Sequence, residues 1–161
     1  MKRKLYTIGY SGFAIDQFVQ RLVDHEIECL IDIREIPISR KKGFAKNALR
    51  ESLANEEIEY LHFKALGSPK ELRHRVREDR DYSTFFKGVR RHLKKPLGQT
   101  SVKEAIASAR EMRSCLMCFC PDWERCHRSC VVDAILDSSY FSFEHLGLEE
   151  KQQRFWTNKA A

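Results

Sequence analysis

Leu116-Met117-Cys118-Phe119-Cys120-Pro121-Asp122-Trp123-Glu124-Arg125-Cys126-His127-Arg128 reads as a buried strand, a short loop and the first turn of a helix. Strand followed by helix is the repeating unit of an α/β fold. The same alternation extends outward in both directions. Towards the N-terminus, Leu5 to Gly9 reads as a first strand and Ala14 to Asp24 as an amphipathic helix, with Ile15, Phe18, Val19 and Leu22 on one stripe. Cys29 to Ile33 is an apolar strand interrupted by Asp32, as expected of a strand covered on both faces. Arg34 to Phe44 is a long loop broken by Pro37 and Gly43. Lys46 to Asn55 predicts a helix and Glu59 to Phe63 a third strand, and a turn follows at Leu66-Gly67-Ser68-Pro69. Helices are predicted from about Asp81 to Leu93 and from Val102 to Met112, ahead of a fourth strand at Cys115 to Phe119. A helix over Cys126 to Leu136 and a short strand over Ser142 to His145 complete the series.

This order predicts a single-domain, Rossmann-like three-layer α/β fold, with a mostly parallel sheet and helices on both faces. The domain is expected over residues 1–148, with a polar tail over 149–161 in which Phe155 and Trp156 are the docking candidates. The length of 161 residues suits one core, and the 42% apolar and 32% charged residues suit a soluble globular chain. No apolar run is long enough to span a bilayer. Met1-Lys2-Arg3-Lys4-Leu5 has the charge of a signal sequence without the apolar stretch behind it, so a cytoplasmic protein is expected.

The net charge is +6, and Lys70 to Lys95 alone holds ten Lys or Arg against four acids, so the rest of the chain is neutral. Such a segment suits contact with nucleic acid or another polyanion, or is simply the solvated face of a basic helix. Tyr82, Phe85 and Phe86 within it have the spacing of a core-facing stripe.

In a parallel sheet, ligands bind beyond the carboxyl ends of the strands. The residues just past each predicted strand are Gly9-Tyr10-Ser11-Gly12, Arg34 with Ser39 and Arg40, His62 with Lys64, and the Cys118–Arg128 loop. Three constellations arise there. Arg34, Arg40, Lys46 and Arg128 form a basic pocket suited to phosphate or carboxylate, although Asp32 or Glu35 could instead pair with Arg34 as a structural bridge. Neither Walker nor dinucleotide-fingerprint glycine spacing accompanies it.

The second constellation is sulfur: five of six cysteines (Cys115, Cys118, Cys120, Cys126 and Cys130, with Cys29 apart) fall within sixteen residues. Zinc or an iron–sulfur cluster would draw on Cys118, Cys120, Cys126 and Cys130; the spacing matches no familiar module, and no metal is the expectation. Cys115 and Cys118 should face opposite sides of their strand.

The third is a reactive cysteine. Cys126, expected at a helix start beside His127 and Arg128, should have its thiol acidified by the dipole and the cations, with His127 as general acid or base. The alternatives are a packed capping thiol and an imidazole bonded to a backbone carbonyl. Tyr10, Asp32 and His62 belong to the same edge, and His145 reads as structural.

Thr7-Ile8-Gly9-Tyr10-Ser11-Gly12, then Ile31 to Arg40 with Gly43-Phe44 and Lys46, then Tyr60-Leu61-His62 before Leu66-Gly67, then Leu116-Met117-Cys118 before Cys126-His127-Arg128-Ser129 together resemble the bacterial domain-of-unknown-function family 488. The resemblance runs from about Tyr6 to Leu146 and implies an α/β fold. It places Tyr10, Arg34, Ser39, Arg40, Lys46, His62, Cys118, Cys126, His127 and Arg128 at motif positions. The family usually carries an acid where this chain has Cys120, a role that Asp122 or Glu124 would have to take, and Cys130 is particular to this chain. The expectation is an enzyme acting on a nucleotide, nucleic acid or other phosphorylated substrate. A non-catalytic anion-binding or nucleic-acid-binding module and a cysteine-ligated metal domain stand as alternatives.

Overall fold

The computed structural model describes residues 3–148; the tail expected over 149–161 lies outside them. Five strands, β1 (Arg3–Gly9), β2 (Cys29–Asp32), β3 (Glu59–His62), β4 (Ser114–Cys118) and β5 (Phe141–Leu146), form one sheet in the order β3-β2-β4-β1-β5. Every pairing is parallel. Six helices connect them: α1 (Ile15–Asp24), α2 (Lys46–Ala54), α3 (Lys70–Asp79), α4 (Tyr82–Leu93), α5 (Pro96–Glu111) and α6 (Arg128–Leu136). The α/β class with helices on both faces is as the alternation of elements predicts.

The sheet is covered on both sides because its strands are apolar on both sides. Leu30, Cys115 and Met117 pack with Phe18 and Leu22 of α1 and with Leu49 and Leu53 of α2. Ile31, Leu116 and Cys118 pack on the other face with Val89 of α4, Ile106 of α5 and Val131 and Ile135 of α6. Cys115 and Cys118 therefore sit in different cores, as strand alternation requires.

Three element boundaries differ from expectation. Residues 70–79 form α3, which buries none of its residues fully. It leans on α4, where Leu72 closes so tightly on Gly88 that a Cβ there would lie 2.8 Å from its methyls. A helix this polar leaves too weak an apolar stripe to read from the sequence. Helix α5 starts at Pro96, not Val102, with the proline in its first turn, where the missing N–H costs nothing. The residues before α6 turn as a short 3-10 segment, Trp123–Arg125, so Cys126 precedes the helix and His127 is its N-cap residue.

The sheet order places a switch point at the centre. The connection from β1 runs through α1 across β4 to β2, while that from β4 runs through α6 across β1 to β5. The two chains thus leave the carboxyl ends of neighbouring strands towards opposite faces, which opens a crevice there. Cys118, paired with Gly9, is the last residue of β4 at that crevice.

Candidate functional site

The crevice widens into a cleft of about 550 Å³ walled by the loop after β2, by α3 and the start of α4, and by the loop after β4. Gly9 is what lets the last of these close in: a Cβ on it would lie 1.8 Å from the Cys120 carbonyl oxygen. The backbone is tied across the gap by Tyr10 N–H to Cys118 O and Ser11 N–H to Phe119 O, each 3.0 Å.

Cys118, Cys126 and His127 line the cleft and are all buried. The two sulfurs lie 3.0 Å apart, and the Cys126 sulfur also accepts the Arg128 backbone N–H at 3.4 Å. His127 Nε2 donates to the Ile33 carbonyl at 2.9 Å. The hydrogen is thereby fixed on Nε2, and the lone pair of Nδ1 faces the Cys126 sulfur at 3.7 Å.

The acidities differ from expectation. Burial, followed by the hydrogen bond to Cys118, pushes the Cys126 thiol up to about 12. Burial works against a Cys118 thiolate as well, but the Cys126 hydrogen bond and the Arg128 charge outweigh it and lower its pKa. Of the two thiols, Cys118 is therefore the more acidic. The dipole argument for Cys126 fails because the residue stands ahead of the helix inside the core. Burial likewise takes His127 down to about 4, away from neutrality. Of the two roles expected for His127, the bond to a carbonyl is the one observed.

The arginines divide into two groups. Arg34 binds Asp32 through Nε and Nη2, with 2.7 Å from Nη2 to Oδ2, and its Nη1 donates to the Phe44 carbonyl at 2.7 Å. Tyr60 donates its hydroxyl to the same carboxylate at 2.5 Å. Arg34 lines the cleft, but its charge is matched. Glu35 pairs instead with Arg73 at 2.6 Å. Arg40 and Arg77 also line the cleft and form no ion pair among the described residues. Phe119 and Ile38, both exposed, and Tyr10, stacked on Phe44 at 4.6 Å, add apolar surface to the same walls. Ser39 lines the cleft too, its hydroxyl accepting the Lys41 N–H.

Three expected pocket residues stand elsewhere. Lys46 opens α2 and is absent from the cleft lining. His62 donates Nε2 to the Arg34 carbonyl at 2.7 Å, which pins the end of β2. Arg128 is buried behind the sulfurs: Nη2 donates to the Cys120 carbonyl at 2.9 Å, Nη1 to the Thr7 hydroxyl at 3.4 Å, and Nε has no partner. Thr7 in turn shares a hydrogen bond with His145 Nδ1, and His145 stacks on Trp123 with ring centroids 4.0 Å apart. The link from Thr7 and Trp123 to Arg128 carried no signal in the sequence, because nothing local joins them.

The four-sulfur set is not assembled. Cys130 points its thiol at the Phe86 carbonyl, 4.0 Å away, and the Cys120 thiol meets the Asp122 carbonyl at 3.4 Å. Cys118, Cys126 and His127 converge instead, their ligand atoms all within 4.8 Å of one another.

A family model described as domain of unknown function DUF488 matches residues 14–135. The chain belongs to this family. The match includes Arg34, the sulfur cluster and His127, and leaves Tyr10 and β5 of this DUF488 chain outside it. No curated protein and no solved structure matches it. No helix among the described residues is long and apolar enough to cross a membrane.

Proposed function

We propose that this DUF488 protein is an enzyme acting on a phosphate-bearing substrate: a nucleotide, a nucleic acid or another phosphorylated molecule. The observation that carries the reading is the convergence of arginines, apolar and aromatic walls and a thiol–imidazole cluster in one cleft. Its volume, about 550 Å³, lies in the range of small-molecule sites. Arg40 and Arg77 offer forked donors to a phosphate, and Phe119 offers a face to a planar group. Cys118, Cys126 and His127 form the floor, where the substrate's reacting end meets the sulfur cluster.

The basic segment over residues 70–95 becomes α3 and α4. Arg73 and Arg77 turn into the cleft, while Arg75, Arg80, Lys87, Arg91, Lys94 and Lys95 are exposed outside it. A polyanion could follow that surface to the cleft, which supports nucleic acid among the substrates. The free cysteines suit a reducing, cytoplasmic setting.

The test is equilibrium binding of nucleoside monophosphates, their parent nucleosides and short oligonucleotides. Phosphorylated ligands should bind, nucleosides should not, and Arg40→Ala with Arg77→Ala should weaken binding about ten-fold or more. Equal binding of nucleoside and nucleotide, or of neither, would sink the reading. With a substrate in hand, Cys118→Ser and Cys126→Ser should abolish turnover while leaving phosphate binding in place.

A further inference from the structure

We propose that Cys118, Cys126 and His127 hold one thiophilic divalent metal ion of the zinc class, with its remaining coordination position open to the arginine-lined cleft. This deepens the functional reading above, on which the role of the open position rests; metal binding itself is argued from the cluster alone.

The donors are two sulfurs and one imidazole nitrogen, a set that favours zinc over hard cations. Their spacing suits it. Tetrahedral bonds of about 2.3 Å to sulfur and about 2.0–2.1 Å to nitrogen place two sulfurs about 3.8 Å apart and sulfur and nitrogen about 3.6 Å apart. Cys126 Sγ and His127 Nδ1 are 3.7 Å apart. The two sulfurs are at 3.0 Å and need only separate by roughly 0.8 Å to meet that geometry.

The imidazole is set up as a ligand independently of the sulfurs. Its Nε2 donates to the Ile33 carbonyl, so the nitrogen facing the cluster carries the lone pair. Metal-bound histidines are oriented by just such an outer hydrogen bond. The Arg128 backbone N–H on the Cys126 sulfur stabilises thiolate character. Binding would expel the thiol protons, and two thiolates with a dication are neutral together. The buried Arg128 guanidinium then leaves a net positive charge behind the site, which suits an anionic substrate oxygen at the open position. Cys130 directs its thiol at the Phe86 carbonyl, and Cys120, a neighbour of Cys126, lies outside the group whose donor atoms are all within 4.8 Å of one another, so the set stops at three. Three protein ligands with a vacant fourth position are the pattern of catalytic zinc sites, where the metal polarises a bound oxygen. An iron–sulfur cluster, which needs four thiolates, does not fit.

The experiment uses the full chain, reduced and stripped with chelator, and titrates it with cobalt(II) and then zinc. One equivalent of cobalt should bind with thiolate charge-transfer absorption and tetrahedral d–d bands, and zinc should displace it. On the unmutated protein, zinc should shield Cys118 and Cys126, but not Cys120, from alkylation mapped by mass spectrometry. His127→Gln should weaken zinc binding at least ten-fold, and Cys130→Ser should leave it unchanged. No stoichiometric binding, or binding that survives Cys118→Ser with Cys126→Ser or that requires Cys130, overturns the proposal. Phosphate binding by the metal-free protein separates the two readings. If metal binding fails while phosphate still binds, the metal site falls and the cleft stands; if metal binds and phosphate does not, the metal site stands and the cleft reading falls.

Discussion

Arg34 and Arg40 are six positions apart and do opposite things. Arg34 is buried against a fully buried Asp32, so its charge serves the fold first. Removing Asp32 with Asp32→Ala leaves a guanidinium in the interior and the Tyr60 hydroxyl without its acceptor. The expected cost is about 3–5 kcal/mol, measurable by denaturant unfolding. Arg40→Ala removes an exposed, unpaired charge and should change stability by no more than about 0.5 kcal/mol, its effect falling on phosphate affinity. The sulfurs divide in the same way. Because the thiolate is the species that reacts, metal-free protein treated with iodoacetamide near neutral pH should be modified at Cys118 before Cys126. Peptide mapping checks the order, and faster labelling of Cys126 would mean that Cys126 is the more acidic of the two.

At the scale of elements, the site depends on how closely the loop after β4 lies over the end of β1. Gly9→Ala places a methyl against the Cys120 carbonyl, whose backbone cannot yield without moving the loop. That carbonyl also holds Arg128, so the displacement reaches the guanidinium behind the sulfurs. A stability loss of about 1–3 kcal/mol is expected from the overpacking, together with weaker phosphate binding. A Gly9→Ala protein with wild-type stability and affinity would show the approach to be looser than described. Elements with a strong apolar stripe were legible from the sequence: all five strands, α1, α2 and the body of α4. Helix α3 was not, because its surroundings stabilise it more than its own pattern does, and yet it supplies Arg73 and Arg77 to the cleft. Pro96 reads as a breaker until its place in the first turn of α5 is seen.

The molecule as a whole keeps two imidazoles neutral. Burial, opposed by the bond to the Ile33 carbonyl and joined by the Arg128 and Arg73 charges, holds His127 at about 4, and burial with the Arg128 charge holds His145 at about 4, both down from 6.5. Above pH 6.5 both groups are neutral whether the chain is folded or not. As the pH falls from there towards 4 the unfolded chain takes up protons first, so folded stability declines across that window. Denaturant unfolding of the metal-free protein between pH 7.5 and 4 should show the decline, and His145→Gln should remove part of it. A flat profile would mean that both imidazoles are solvated.

The order of the strands, the parallel sheet and the gathering of Arg34, Arg40 and the sulfurs at its carboxyl edge were determined by the sequence alone, since each follows from local periodicity and from a topological rule. The working set was decided only by the tertiary structure. Inserting β4 between β2 and β1 brings the Ile33 carbonyl to His127, and packing α6 against the sheet brings Thr7 to Arg128. Those contacts choose Cys118 as the partner of Cys126 in place of Cys130, keep His127 uncharged and reverse the thiol acidity that a helix start alone suggests. Acidity and ligand geometry depend on burial and on partners about a hundred residues away, which spacing along the chain does not encode.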